Sequence, residues 1–245
     1  MAKLSVSVIG RNEERNLVRC LESVKWADEL VYVDCGSSDS SVDVASGYKA
    51  RVFRRENDFN INVNKQFGLQ QCSGDWILYL DPDEEVTPGL ALELKDKAGG
   101  KYDFSAFYIP RRNFYFGRWL KHGGKYPDLQ LRFFKKGAAA FPCRNIHEKL
   151  EVRGRIDKTE NALNHYPYQS VDGMLGKMGS YSMRKSLEYK RSGYVPGFSK
   201  PLRRFVVNYI LKAGFLDGRE GLTAALADVM NENLARLKYM EKPGL

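Results

Sequence analysis

The chain has 245 residues, 43% hydrophobic and 28% charged, with a formal net charge of +9. That length holds one large domain, or a domain with an appendage, and the balance is that of an ordinary soluble globular protein. No apolar run approaches the ~20 residues that span a bilayer, and Met1–Ile9 is too short and too β-branched for a signal peptide.

Strands and helices alternate through the first hundred residues. Leu4–Ile9 is a β-branched run followed by a polar loop at Gly10–Glu13 and a helical pattern over Glu14–Val24. Glu29–Val33 reads as a second strand, ending in the Gly-, Ser- and Asp-rich turn Asp34–Ser41, with a helix through Val42–Ser46. Ala50–Phe53 is a third strand, Val63–Gln71 a helix, and Trp76–Leu80 a fourth strand. Such alternation predicts parallel β-α-β units, whose ligands bind at the C-terminal strand ends, where all three polar loops emerge. From about Lys101 the pattern changes. Phe104–Pro110 and Gln130–Lys135 read as strands around an aromatic, basic segment, and Glu148–Val152 with Arg155–Lys158 as a hairpin around Gly154. Beyond Tyr168 the pattern is helical, broken near Gly193–Pro201. The expected domains are therefore an α/β domain over residues 1–168, divided near residue 100, and a helical extension over 169–245.

Cys20, Cys35, Cys72 and Cys143 show neither zinc spacing nor a disulfide framework, which suits reduced thiols in a cytosolic protein. Neither a Walker loop nor a G-x-G-x-x-G occurs, so kinase, ATPase and dinucleotide readings lose their main support.

The most telling stretch is Trp76-Ile77-Leu78-Tyr79-Leu80-Asp81-Pro82-Asp83-Glu84-Glu85. A short buried strand ends in four carboxylates, which repel one another unless a cation neutralises them. Oxygen ligands of this kind suit Mg²⁺ or Mn²⁺ holding a phosphate-bearing substrate. The plainer alternative is an acidic strand-to-helix turn with Asp83 or Glu84 as helix cap. With a nucleoside-diphosphate sugar as ligand, Asp34 and Asp39 flank a loop suited to base and ribose, and Gly36 permits close backbone approach. Asn12 and Glu13 line the same pocket. The alternative is that Ser41 or Asp39 is simply an N-cap, and Ser37, Ser38 and Ser41 are read first in that way, with Ser37 also bordering the ligand. A metal between the phosphates would stabilise the departing diphosphate.

Three motifs in this order, Val8-Ile9-Gly10-Arg11-Asn12-Glu13, Val33–Ser41 and Gly74–Glu84, resemble the signature series of family 2 glycosyltransferases. The resemblance implies the GT-A fold, a nucleobase contact at Asp34, and a metal-binding D-x-D at Asp81-Pro82-Asp83, where Pro82 replaces a commonly small residue. It places Asn64, Lys65, Asp81 and Arg132 among the donor contacts. Asp128–Phe134, Asn145-Ile146-His147-Glu148 and Asn164-His165-Tyr166 resemble bacterial enzymes that add glucose to the lipopolysaccharide inner core through β-1,4 linkages. By this resemblance UDP-glucose is the expected donor, a core or other lipid-linked glycan the acceptor, and a divalent metal the cofactor. His165 is either a third metal ligand beside Asp81 and Asp83 or a histidine packed in a turn.

An acceptor hydroxyl needs a base as it attacks the anomeric carbon. Glu148 is the first candidate, its alternative being a hairpin surface charge, and Asp128 the second. Direct displacement with one base inverts the anomeric centre. Arg111, Arg112, Arg118, Lys121 and Lys125 are read mostly as surface charges, some available, like Arg132, to an anionic acceptor or the diphosphate, and His122 as a contact to acceptor or phosphate without a catalytic role.

The charge is uneven, with 13 Lys and Arg against 7 Asp and Glu in residues 171–245, and 26 against 23 before them. Phe205, Val206, Tyr209, Ile210, Ala213 and Phe215 sit near helical spacing among basic residues. Such a helix either lies on an anionic membrane, here the cytoplasmic face of the inner membrane, or packs on the catalytic domain. Rival functions are a family 2 transferase for capsule or a lipid carrier, a nucleotidyltransferase, and a nucleic-acid-binding protein using the basic tail. Dispersed basic residues and core-like aromatic spacing count against the last, so no nucleic-acid partner is expected.

Overall fold

The computed structural model describes residues 2–58, 60–100, 103–144, 148–197 and 199–241. The elements run β1 (Leu4–Gly10), α1 (Glu14–Ser23), β2 (Glu29–Asp34), α2 (Ser41–Gly47), β3 (Arg51–Arg54), α3 (Ile61–Gln71), β4 (Trp76–Leu80), β5 (Glu84–Val86) and α4 (Pro88–Gly99). They continue through β6 (Ala106–Tyr115), β7 (Arg118–Trp119), β8 (Asp128–Lys135), β9 (Ala139–Ala140), β10 (Glu151–Val152), β11 (Ile156–Lys158) and β12 (Leu163–Tyr168) to α5 (Val171–Ser192), α6 (Ser199–Phe205) and α7 (Gly218–Met240). Two compact units compose the chain, one of residues 1–111 and 129–165, the other of residues 112–128 and 166–245.

The first unit is built on a sheet ordered β3-β2-β1-β4-β8-β6-β12-β5. β1 pairs in parallel with β2 and β4, and β2 with β3, so one edge is the expected parallel α/β arrangement. β8 joins β4 antiparallel, with Ile77 opposite Phe134. This is the GT-A arrangement that the resemblance implied. Both faces of β4 are covered, which explains an unbroken apolar run rather than alternation. Trp76, Leu78 and Leu80 enter one core with Leu17, Leu21, Leu90 and Leu94, while Ile77 and Tyr79 enter another with Ile9, Val33 and Leu69. Trp76 stacks on Phe133 with ring centroids 4.7 Å apart.

Two expectations fail. Asp83 and Glu84 do not cap the next helix. Glu84–Val86 is instead a short strand, antiparallel to β12 with Glu84 opposite His165, and Thr87 caps α4 by accepting from the Leu90 N–H at 3.3 Å. Nor do the segments around Gly154 form a hairpin. β10 pairs with β9, and β11 runs parallel to β6. The turn signal at Gly154 is real, with φ +106°, but a Cβ there would lie 2.2 Å from Ser105 Oγ. The glycine lets the chain pass Ser105 closely and deliver β11 to a distant strand.

The second unit is mainly helical. Met174 and Met178 of α5 pack with Ala227 of α7. Buried Glu232 of α7 is ringed by Lys185, Lys200, Arg204 and the Tyr189 hydroxyl, with Lys200 and Arg204 each at 3.2 Å. Burial opposes ionisation of Glu232, but Lys185 and Tyr189 outweigh it and bring its carboxyl down to about 2. Between α6 and α7 the chain takes a π-helical turn at Val206–Leu211 and a 3₁₀ turn at Gly214–Asp217. Among the described residues, no helix is long and apolar enough to cross a membrane.

Candidate active site

Three loops meet at the C-terminal ends of β1, β2 and β4. A Cβ on Gly10 would lie 2.9 Å from Pro82 Cγ, so only glycine there lets the first loop lie against the acidic tip. Asn12, with φ +56°, donates its N–H to Ser37 Oγ at 2.9 Å and accepts from the Ser38 N–H at 2.8 Å. The Glu13 N–H donates to Ser41 Oγ at 2.9 Å. Asp39 accepts from Ser41 Oγ at 2.6 Å and from the Glu14 N–H at 3.1 Å, so its carboxylate ties the first turn of α1 to the second loop. The serines and Asp39 thus lock two loops together, Ser41 receiving Glu13 rather than capping α2. Asp34, 2% exposed at the end of β2, accepts the Ser37 N–H at 3.3 Å, and Gly36 beyond it takes φ +77°.

Asn64 and Lys65, neighbours on α3, behave differently. Asn64 is buried and fully engaged, accepting from Arg55 Nε at 2.8 Å and donating to the Glu56 carbonyl at 2.8 Å. Lys65 Nζ lies 3.6 Å from Asp81 Oδ1 and 5.0 Å from the Tyr79 ring centroid. Burial works against its charge, but Asp81 prevails and the ammonium is pushed up to about 12. It therefore stays protonated throughout the physiological range.

The acidic tip carries its own counter-charges. Arg132, projecting from β8, binds Asp81 and also Glu84, the latter at 2.6 Å. Tyr79 OH donates to Asp81 Oδ1 at 2.8 Å. Burial would raise the Asp81 carboxyl, yet Arg132 and Lys65 together hold it well below the usual carboxylate range. Glu84, fully buried, takes Arg111 at 3.1 Å and accepts the Asp81 N–H at 2.9 Å. Arg111 is thus a partner of the tip rather than a surface charge. Crowded carboxylates did require cations, and three basic side chains meet most of that requirement.

Asp83 faces another way. Its Oδ1 lies 3.5 Å from His165 Nε2, the strand pairing of β5 with β12 having brought the two together. Among the described residues, Asp81, Asp83 and His165 do not converge on a three-ligand metal cage. Asp83 and His165 set a carboxylate oxygen and an imidazole nitrogen side by side, two donors that could hold a divalent cation.

Glu148 Oε2 accepts the Arg144 N–H at 2.6 Å, and its carbonyl accepts from Asn62 Nδ2 at 3.3 Å, which anchors it to the start of α3. Asn145, Ile146 and His147, the rest of that motif, lie outside the described residues. Asp128 belongs to the second unit, where Asn113 Nδ2 donates to it at 3.2 Å. In that unit Lys125 pairs with Asp228 at 2.9 Å, and buried Asp217 receives the His122 N–H at 2.8 Å and pairs with its Nδ1 at 2.9 Å. Arg111 and the Asp217 anchor were not foreseen. Nothing in local spacing marks them, because their partners lie 27 and 95 residues away.

Comparison with known proteins identifies the family. The family model described as "Glycosyl transferase family 2" matches residues 5–210. The chain is 26% identical over 238 residues to the lipopolysaccharide core biosynthesis glycosyltransferase LpsC of Rhizobium meliloti, covering 91% of this chain and 88% of that protein. It is 35% identical over 212 residues to an uncharacterized glycosyltransferase of Rickettsia bellii, covering 79% and 70%. A shorter match, 31% over 112 residues, is to the GalNAc(5)-diNAcBac-PP-undecaprenol beta-1,3-glucosyltransferase of Campylobacter jejuni, with 42% and 36% covered. The solved glucosyl-3-phosphoglycerate synthase of Mycobacterium tuberculosis is similar over 46% of this chain and 44% of that one, at 23% identity and a TM-score of 0.37. With its signature loops gathered on one sheet edge and the family match running through most of its length, the chain belongs to glycosyltransferase family 2.

Proposed function

We propose that the chain moves a hexose, glucose from UDP-glucose, onto a lipopolysaccharide-core or similar lipid-linked glycan at the cytoplasmic face of the inner membrane, with inversion. Residues 1–168 would carry the chemistry and 169–245 the approach to the membrane. The observation that carries the reading is the pair Asp83–His165, 3.5 Å apart beside a carboxylate that other cations already hold. The donor and acceptor classes draw on the names of the Rhizobium and Campylobacter relatives.

In this reading Asp34 takes the nucleobase, and the locked loops bearing Asn12, Glu13, Gly36, Ser37 and Asp39 line the nucleoside pocket. Asp83 and His165 would hold the divalent cation, whose Lewis acidity stabilises the charge of the leaving diphosphate. Asp81 would join them only by giving up part of its contact with Arg132 and Lys65. Those two cations are the ones already set at the tip to meet phosphate oxygens, and Asn64 keeps the segment beside them in place. Glu148 takes the proton of the acceptor hydroxyl, with Asp128 as the second candidate. The acceptor oxygen then bonds to the anomeric carbon from the face opposite the departing diphosphate.

Titrating UDP-glucose, UDP-galactose, UDP-N-acetylglucosamine and GDP-mannose, with and without Mn²⁺, tests this. One donor should bind only with metal, and Asp83→Ala should abolish that dependence while lowering transfer on the order of 100-fold or more. Equal donor binding by the variant, or none by the wild type, would overturn the assignment.

A further inference from the structure

The second unit carries a surface that transfer chemistry does not use. From Ser199 to Leu216 the sequence has four basic residues and no acidic one. Within this stretch Leu202, Val206, Ile210, Leu211, Phe215 and Leu216 are exposed, Leu211 by 73% and Leu202 by 68%. Isolated exposed leucines are ordinary, but six large apolar side chains in fifteen consecutive residues form a patch that water disfavours. Leu202, Val206 and Ile210 recur at four-residue spacing, which a helix, and still more the wider π turn at Val206–Leu211, keeps on one side.

Two grooves flank α6. One, about 400 Å³, is lined by Tyr194, Ser199, Lys200, Arg203 and Arg204. Its cations exceed its anions. Glu232 pairs with Lys200 and Arg204, whereas Arg203 forms no ion pair among the described residues. The other, about 410 Å³, is mainly apolar, lined by Pro201, Leu202, Phe205, Leu226, Val229 and Asn233. A single short helix thus presents a basic pocket on one side and an aliphatic groove on the other. Lys212, also without an ion pair among the described residues, extends the positive charge past the π turn.

We infer that residues 199–216 form the surface by which this protein docks on an anionic phospholipid bilayer, with headgroup phosphate in the Arg203 pocket and the Leu202–Leu216 side chains in the acyl boundary. Apolar side chains flanked by two lysines and two arginines, whose charge exceeds that of Glu232, the carboxylate pairing with Lys200 and Arg204, are the chemistry of interfacial binding. A soluble partner would meet the same patch without needing the surplus positive charge. The inference deepens the lipid-linked-acceptor reading, but its test reads membrane binding rather than transfer, so the two fail separately.

Co-sedimentation of the full chain with vesicles of phosphatidylcholine, alone and mixed with phosphatidylglycerol, provides the test. Binding should require the anionic lipid and weaken in high salt. Arg203→Ala should weaken it about fivefold. The double change Ile210→Asp, Leu211→Asp should weaken it roughly 100-fold, and Ile210→Ala, Leu211→Ala less. All three variants replace exposed side chains, so their circular dichroism melts should match the wild type. Vesicle binding that ignores the apolar substitutions overturns the inference. So does a melting shift with inorganic phosphate, lost in Arg203→Ala, without vesicle binding, which assigns the pocket to a free phosphate group. A dimer in solution that Ile210→Asp, Leu211→Asp dissociates, without vesicle binding, assigns the patch to a second copy of the chain.

Discussion

Two carboxylate clusters, one in each unit, use the same chemistry to different ends. Around Glu232 the carboxylate is sealed, 1% exposed, while its cations reach water, Arg204 being 42% exposed. At the tip of β4 the sealed group is a cation, which also holds the fully buried carboxylate of Glu84. Arg132 is the sealed member at 6% exposure and Asp81 the open one at 29%. A buried anion with solvated cations holds helices together and keeps its carboxylate away from any ligand. A buried cation with an open anion leaves a charged surface that a substrate can reach, and holds it rigid. Pairing alone does not separate a structural cluster from a functional one; which partner faces water does.

The comparison breaks most visibly at Arg132. Arg132→Met leaves Asp81 and fully buried Glu84 with fewer counter-charges, and losing one partner of a buried pair costs about 3–5 kcal/mol. Denaturant unfolding should record that loss, and donor binding should fall with it. If stability is unchanged, Glu84 does not depend on Arg132. Glu232→Ala should be milder, about 1–3 kcal/mol, because the cations it strands are already partly hydrated. Donor binding should survive in the folded fraction, and its loss would contradict the structural role. The smallest effect is in pH. The folded Glu232 carboxyl lies at about 2 against an ordinary 4.5, so its stabilisation is complete above 4.5 and lost as pH falls toward 2. Glu232→Gln should flatten that part of the melting-temperature profile. Parallel acid limbs in variant and wild type would show that Glu232 is not the titrating group.

What the sequence made legible was local. Trp76–Leu80 is the strand expected, because an apolar run of that length between a glycine turn and an acidic cluster has few other uses. The parallel edge of the sheet and the helical extension followed from the alternation of patterns. What stayed hidden depends on distant partners. Glu84-Glu85-Val86 has no strand signature of its own and becomes one only opposite His165-Asn164-Leu163. The gathering of Asp83 with His165 follows from that pairing, so residue types singled out the two side chains and the sheet supplied their meeting. Glu148–Val152 and Arg155–Lys158 read as a hairpin because a glycine between two β-prone runs looks the same whichever strands they join. The composition of the acidic tip implied a need for cations but not that Arg111 and Arg132 would supply them. The Asp34–Ser41 segment was legible as a loop, whereas the use of its serines and Asp39 to lock α1 depends on a first loop 25 residues upstream.

Gly10 and Pro82 occupy what is in effect a single site. The space that a side chain at position 10 would need is the space the proline ring fills, 2.9 Å away. The two positions are therefore epistatic. A larger residue at 10 is tolerable only in a background where 82 has shrunk, and a small residue at 82 relaxes the demand for glycine. Neither position has a mutational profile of its own.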